Sequence, residues 1–187
     1  MKDLIVTKSY KGLKSVGWRY EIEDSLEATG SITVDLDKGL YVSGSIEAGG
    51  SIEAGGSIKA GGSIEAGGSI EAGGSIEAGG YIEAGEYIEA GESYGIQAGL
   101  QITCKGLLKF GLKAFAGIYT WREISEDEKT ITCGRKEGYG VVEYGILKEL
   151  GMPEDNKKSE QKAVLLKKIE ELKVEVEKLD NEEKNVE

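Results

Sequence analysis

Histidine is absent from this chain of 187 residues, and proline occurs once. Without His, neither a Ser-His-Asp nor a Cys-His nucleophilic arrangement can be assembled. No phosphate-cradling loop of the Gly-x-x-x-x-Gly-Lys-Ser/Thr kind is present either. Cysteine is as scarce: Cys104 and Cys133 are too few for a disulfide framework, so a reduced intracellular setting is expected. Two thiols make a poor metal site. They occupy the like strings Ile102-Thr103-Cys104 and Ile131-Thr132-Cys133, which predicts equivalent inward-facing core positions. No apolar run approaches the roughly 18 residues that span a bilayer. The opening Leu4-Ile5-Val6 stretch stops too soon for a secretion signal, which makes the cytoplasm the expected location.

Positive charge is the minority: 23 Lys and Arg face 34 Asp and Glu, a formal net charge of −11. That balance opposes binding phosphate backbones over the whole surface. It suits a basic partner, or a protein that normally holds nucleic acid.

What the chain has in abundance is glycine, 29 residues of it, in strict period. From Ser45 the unit Ser-Ile-Glu-Ala-Gly-Gly runs to Gly80 with a single change, Lys59 for Glu. Tyr81-Ile82-Glu83-Ala84-Gly85-Glu86 and Tyr87-Ile88-Glu89-Ala90-Gly91-Glu92 follow, and Gly39-Leu40-Tyr41-Val42-Ser43-Gly44 precedes, giving nine units in register. Removing the dipeptide Ser93-Tyr94 restores the phase through Ile118. Ile96, Ile102, Leu108 and Ala114 then take position two, and Ala98, Cys104, Phe110 and Ala116 position four. Removing Asp37-Lys38 does the same upstream, so the repeat extends back to Ser25.

Gly-Gly could serve as a hairpin turn, but an antiparallel meander would set Glu of one strand opposite Ile of the next on a shared face. A parallel coil stacks Ile on Ile and Glu on Glu, and is therefore favoured. The predicted fold is mostly β: a parallel β-solenoid of six-residue repeats with capping strands and a C-terminal coiled-coil helix. Residues 1–24 are expected to form an N-terminal cap and 25–118 the solenoid. Residues 119–151 are expected to form a C-terminal cap with a short helix, Glu143 to Leu150, and 152–187 the coiled coil. The aromatic residues Trp18, Tyr20, Trp121, Tyr139 and Tyr144 are the expected closing elements of the two caps.

In the last segment Leu165, Leu172, Leu179 and Val186 recur every seven residues, with Ile169 and Val176 at the other seam position. Leu165, Ile169, Leu172, Val176 and Leu179 are thus the candidate dimerisation residues. In a parallel pair Lys168 would meet Lys173 and Glu175 would meet Asp180, whereas an antiparallel pair sets Lys168 near Glu182. The charges favour the antiparallel arrangement, between two chains or against another helix.

The string Ile46-Glu47-Ala48-Gly49-Gly50-Ser51 resembles the hexapeptide of left-handed β-helices, with Gly50 where a larger small residue is usual. The resemblance implies three hexapeptides per coil; a smaller coil of two strands stays open. It also brings to mind acyltransferases of that fold, which rely on a catalytic His and a long loop that this chain lacks. With three units per coil, Glu47, Glu65 and Glu83 stack on one face and Glu53, Glu71 and Glu89 on a second, while Tyr41, Lys59 and Glu77 share the third. Rows of carboxylates could imitate a nucleic-acid backbone, or could be solvated residues copied along with their unit. Calcium is disfavoured, because the Asp-bearing nonapeptide of calcium-binding β-rolls is missing. No cofactor, metal or membrane partner is expected.

Near-identical Gly-rich units on an acidic chain are similar to repeat proteins of phages and mobile elements. That resemblance implies a non-enzymatic inhibitor in the cytoplasm of a bacterial host cell, of the anti-CRISPR kind that blocks an RNA-guided nuclease. The candidate partner-binding residues are Glu47, Glu53, Glu65, Glu71, Glu77, Glu83, Glu86, Glu89 and Glu92, with Tyr81 and Tyr87 as aromatic anchors. A homodimer through the C-terminal helix is expected. The rival expectation is a self-assembling rod, bactofilin-like or a phage structural part. A third is direct nucleic-acid binding through Lys2, Lys8, Lys11, Lys14 and Arg19, which the net negative charge disfavours.

Overall fold

The computed structural model describes residues 1–120 and 122–152. The chain divides into two units, Met1–Gly151 and Met152–Glu187. The first is a parallel β-solenoid. The second begins at the edge of the described residues, so the coiled coil expected over 152–187, with Leu165, Ile169, Leu172, Val176 and Leu179, lies outside them, as does Trp121.

Alternation of buried and open positions makes each unit a strand. In Ile64–Ala66 the Ile and Ala sides are buried and Glu65 points out, and every repeat from Ile46–Ala48 to Ile88–Ala90 has the same alternation. The Gly-Gly corners turn the chain after every three-residue strand. Successive strands visit three sheets in turn, so Ile46 pairs with Ile64 and Ile64 with Ile82 at 18-residue intervals. Three hexapeptides make one coil, as the hexapeptide resemblance implies, and the two-strand coil is excluded. The first face runs from Leu26–Ala28 to Ile146–Glu149, the second from Leu4–Val6 to Arg135–Glu137, and the third from Arg19–Ile22 to Val141–Tyr144. Each holds seven parallel strands; the third carries an eighth, Lys14–Val16, paired antiparallel to Arg19–Ile22. Six steps at about 4.8 Å make a rod roughly 29 Å long.

The dipeptides Asp37-Lys38 and Ser93-Tyr94 are absorbed at corners. Pairs that straddle them, Leu26 with Ile46 and Ile76 with Ile96, are 20 residues apart instead of 18, and the register is kept. Ile52, Ile58, Ile64, Ile70, Ile76, Ile82 and Ile88 are fully buried in a single core column. Each such side chain contributes roughly 1.5–3 kcal/mol. Ala at position four fills the narrow space beside them, and Phe110 takes that place once.

Glycine at position five answers to the stacking. A Cβ on Gly67 would fall well inside contact with the Gly49 carbonyl oxygen one coil back, and one on Gly73 with that of Gly55. At position six a Cβ on Gly68 would meet the Ser51 hydroxyl, which accounts for Gly where the resembled hexapeptide has a larger residue. Corner hydrogen bonds continue the ladders around the coil: Gly67 N–H donates to the Ala48 carbonyl at 2.9 Å and Gly68 N–H to the Gly50 carbonyl at 3.0 Å. The position-one serines complete them. Ser63 N–H donates to Ser45 Oγ at 3.1 Å, Ser69 N–H to Ser51 Oγ at 3.1 Å and Ser75 N–H to Ser57 Oγ at 3.0 Å.

Three sequence expectations need correction. The N-terminal segment is not a separate cap, because Leu4–Val6 pairs in parallel with Ile32–Val34 and Arg19–Ile22 with Gly39–Val42. Only the intervening segment acts as a cap, with Tyr10 and Leu13 packed on the core. The expected aromatic closure through Trp18 fails, since that ring is 76% exposed. At the other end Glu143 to Leu150 forms no helix: Val141–Tyr144 and Ile146–Glu149 are strands that extend the third and first faces. Gly145, at φ 117°, makes the corner between them. Residues 119–151 therefore hold the final coil, entered through a loop that includes the short 3-10 turn Asp127–Lys129.

Candidate partner-binding face

Position three of each unit points outward, so the three faces carry three vertical rows of side chains. Pairing sets the first row as Glu27, Glu47, Glu65, Glu83, Thr103, Thr132 and Lys148. The second reads Thr33, Glu53, Glu71, Glu89, Lys109 and Glu137 from the second coil onward. The third reads Glu21, Tyr41, Lys59, Glu77, Gln97 and Phe115. The predicted site residues are thus divided among faces and do not meet at one place.

The faces differ in how their charge is balanced. On the third, Lys59 Nζ lies 2.7 Å from Glu77 Oε2, and the Arg19 guanidinium pairs with Glu21 while stacking 4.7 Å from the Tyr41 ring centre. On the second, Lys109 Nζ lies 2.7 Å from Glu89 Oε1. On the first, four successive carboxylates, Glu27, Glu47, Glu65 and Glu83, make no ion pair among the described residues. They repeat at about 4.8 Å, the spacing of the coils. A shallow trough runs beside them, walled on the far side by the bare corners Gly49 and Gly67 and by Thr29. Glu27 belongs to this row although the candidate list omits it. The same dipeptide removal that places Leu26 at position two places Glu27 at position three.

Tyr81 and Tyr87 do not stand out as free anchors. Each is partly buried, and each hydroxyl donates to a carboxylate one coil back, Tyr81 to Glu65 and Tyr87 to Glu71. The bond to Glu65, reinforced by partial burial, pushes the Tyr81 phenol up to about 12. The bond to Glu71 and partial burial likewise raise Tyr87. Glu86 and Glu92 sit exposed at corners where other units have Gly, and Glu86 Oε2 accepts from Ser69 Oγ at 3.0 Å.

Cys104 and Cys133 are both free and buried, on adjacent strands of the first face. Burial pushes the Cys104 thiol up to about 12, helped by Cys133, and the Cys133 thiol up to about 11. Both are core residues, as their strings predict. Among the described residues no cluster of three or more His, Cys, Asp or Glu is placed to hold a metal ion. No described helix is long and apolar enough to cross a membrane.

The basic N-terminal residues are largely neutralised. Lys8 pairs with Asp37 at 3.0 Å, Lys14 with Glu23 at 2.6 Å and Arg19 with Glu21 at 2.5 Å. Lys2 and Lys11 are exposed.

Comparison of the chain with protein-family models, with curated proteins and with solved structures gave no match.

Proposed function

We propose that this protein is a non-enzymatic binding rod whose first face docks, through Glu27, Glu47, Glu65 and Glu83, on a basic groove of a nucleic-acid-handling protein. The carrying observation is the imbalance among the faces: four stacked carboxylates that form no ion pair among the described residues on one, against Glu77 paired with Lys59 and Glu89 paired with Lys109 on the others. Evenly spaced acceptors at coil spacing suit a row of Lys and Arg side chains. The glycine corners beside them leave room for a partner's backbone or long side chains to approach. A rigid row costs little ordering entropy on binding. Occupying a groove built for phosphates would make the protein a competitor of nucleic acid, an anti-CRISPR-like inhibitor where the groove belongs to an RNA-guided nuclease.

The test is capture of such a nuclease from bacterial lysate by wild type and by two triple variants. One carries Glu47→Gln, Glu65→Gln and Glu83→Gln; the other carries Glu53→Gln, Glu71→Gln and Glu89→Gln. The expected result is capture by wild type, loss in the first variant and at high salt, and retention in the second. Equal capture by all three would remove the first face as the site. No capture by any would remove the nuclease as the partner.

A further inference from the structure

Position four on the first face reads Ala28, Ala48, Ala66 and Ala84 over four coils, then Cys104 and Cys133 over the next two. The chain has no other cysteine. Ala84 pairs with Cys104 directly, and the placement of Cys133 above Cys104 is fixed from both sides. Thr103 pairs with Thr132 immediately before the two thiols. Immediately after Cys133, the Gly134 N–H donates to the Gly106 carbonyl at 2.8 Å. Between these contacts the two Cα atoms lie one coil step apart, about 4.8 Å, inside the span of about 4.4–6.8 Å that a disulfide bridges. Cys104 Sγ turns towards the Leu107 carbonyl at 3.4 Å and the Gly106 carbonyl at 3.8 Å. Both are weak thiol bonds, and rotation about the Cα–Cβ bond moves the sulfur from them towards Cys133.

Sequence distance gives the pair its leverage. Within the repeat, paired strands are 18 or 20 residues apart, whereas Cys104 and Cys133 are separated by 29. The extra length is the loop that includes the turn Asp127–Lys129. A bond between the thiols would close that loop and leave the coil unbroken on either side of it.

We infer that Cys104 and Cys133 are a redox pair, which a low-molecular-weight disulfide such as oxidised glutathione converts to an intramolecular disulfide across this loop. One cysteine thiolate attacks a sulfur of the oxidant, expels one glutathione thiolate and leaves a mixed disulfide. The other cysteine then attacks the protein sulfur of that mixed disulfide and expels the second. The two protein thiols give up two electrons and two protons, and the oxidant leaves as two thiols.

Burial sets the rate. Both thiols are buried and held in the neutral form, so the reaction passes through a local opening in which Ile146–Glu149 parts from Thr130–Cys133. The same burial shields the product, since a reductant reaches it only through the same opening. The pair therefore acts as a latch, slow to set and slow to release.

The test incubates the full chain with oxidised glutathione at about pH 8, near the ordinary thiol range. It is run in native buffer and in urea below the unfolding transition, followed by alkylation and peptide mapping without reduction. The expected product is lighter by two hydrogens, has the Cys104 and Cys133 peptides joined, and forms faster in urea. Its melting temperature should exceed that of the reduced chain by roughly 5–15 °C, as closure of a loop of this length predicts. Cys133→Ala, which restores the residue of the earlier coils, should melt like the reduced wild type and gain nothing from the oxidant. Two free thiols after incubation in both solutions overturn the inference. So does a chain that stops at glutathione adducts or links to a second chain, because either shows that the two sulfurs do not meet. A link with no rise in melting temperature overturns the closure of the loop.

Discussion

The Tyr81 hydroxyl donates to the carboxylate of Glu65, 16 residues earlier, and so fastens a corner ring to the middle of the acidic row. The bond needs the phenol protonated. Its folded-state value, about 12, lies above the ordinary 10.0, so its stabilising contribution is complete below about pH 10 and is lost as pH rises through 12. Ultraviolet titration of tyrosinate should show a late-ionising step, and Tyr81→Phe should lower its amplitude by one tyrosine. A late step unchanged in Tyr81→Phe would show that the bond does not form.

Gly67 and Gly55 occupy the same place in units two apart but have different surroundings. Gly67→Ala drives a methyl into the Gly49 carbonyl and should cost roughly 1–3 kcal/mol in urea unfolding. Gly55 has open space where its Cβ would go, because the Asp37-Lys38 insertion moves the neighbouring corner aside. Gly55→Ala should be neutral or stabilise by about 0.4–1 kcal/mol. Equal effects at the two sites would refute the stacking account of the glycines.

The serine at position one acts through its neighbour. Ser45→Ala strips the Ser63 N–H of its acceptor in a partly buried corner, and about 1 kcal/mol of stability should go with it. Ser15→Ala, on an exposed edge strand, is the control and should change nothing measurable. Hydrogen exchange at the Ser63 amide should accelerate in the first variant alone.

Loop residues 122–129 are organised by Glu128. Its carboxylate accepts from Arg122 Nη2 at 2.5 Å and from Ser125 N–H at 2.9 Å. The Arg122 bond, with that from Ser125, holds Glu128 down at about 2 against the usual 4.5. The loop's contribution is therefore full above about pH 4.5 and is lost as pH falls through 2. Amide exchange at Ser125 should rise over that acid window, and Glu128→Gln should raise it already at neutral pH.

Legibility followed the repeat. Ile64 and Ala66 announce a strand because their neighbours repeat them in phase, and the Asp37-Lys38 and Ser93-Tyr94 insertions are visible as breaks in that phase. The rows Glu47-Glu65-Glu83 and Glu53-Glu71-Glu89 follow once three units make a coil. Leu4–Val6 and Arg19–Ile22 were not readable as coil strands, since the Thr7–Gly17 excursion between them carries no unit. Val141 to Leu150 has apolar spacing that a helix could also use. The open edges of Lys113–Ala116 and Thr130–Cys133 decide for strands, because pairing with a waiting edge outweighs weak local preference. Charge balance within each face was hidden as well: Lys109 reaches Glu89 across 20 residues that include an insertion.

The regular phase has one more outcome, which concerns how such a gene can change length. Tandem copies of a short coding unit are prone to gain or loss during replication. Because every strand from Ile46–Ala48 to Ile88–Ala90 offers the same Ile and Ala to the interior, dropping a single hexapeptide among them leaves a sound core. It also turns everything downstream by a third of a revolution, which moves Glu83 off the row of Glu47 and Glu65. Only changes of three units, 18 residues as in the Ile46–Ile64 pairing, lengthen or shorten the rod and keep its faces aligned. Length variants that differ by one unit should therefore fold alike and present different surfaces, so lineages can sample new faces without passing through an unfolded ancestor.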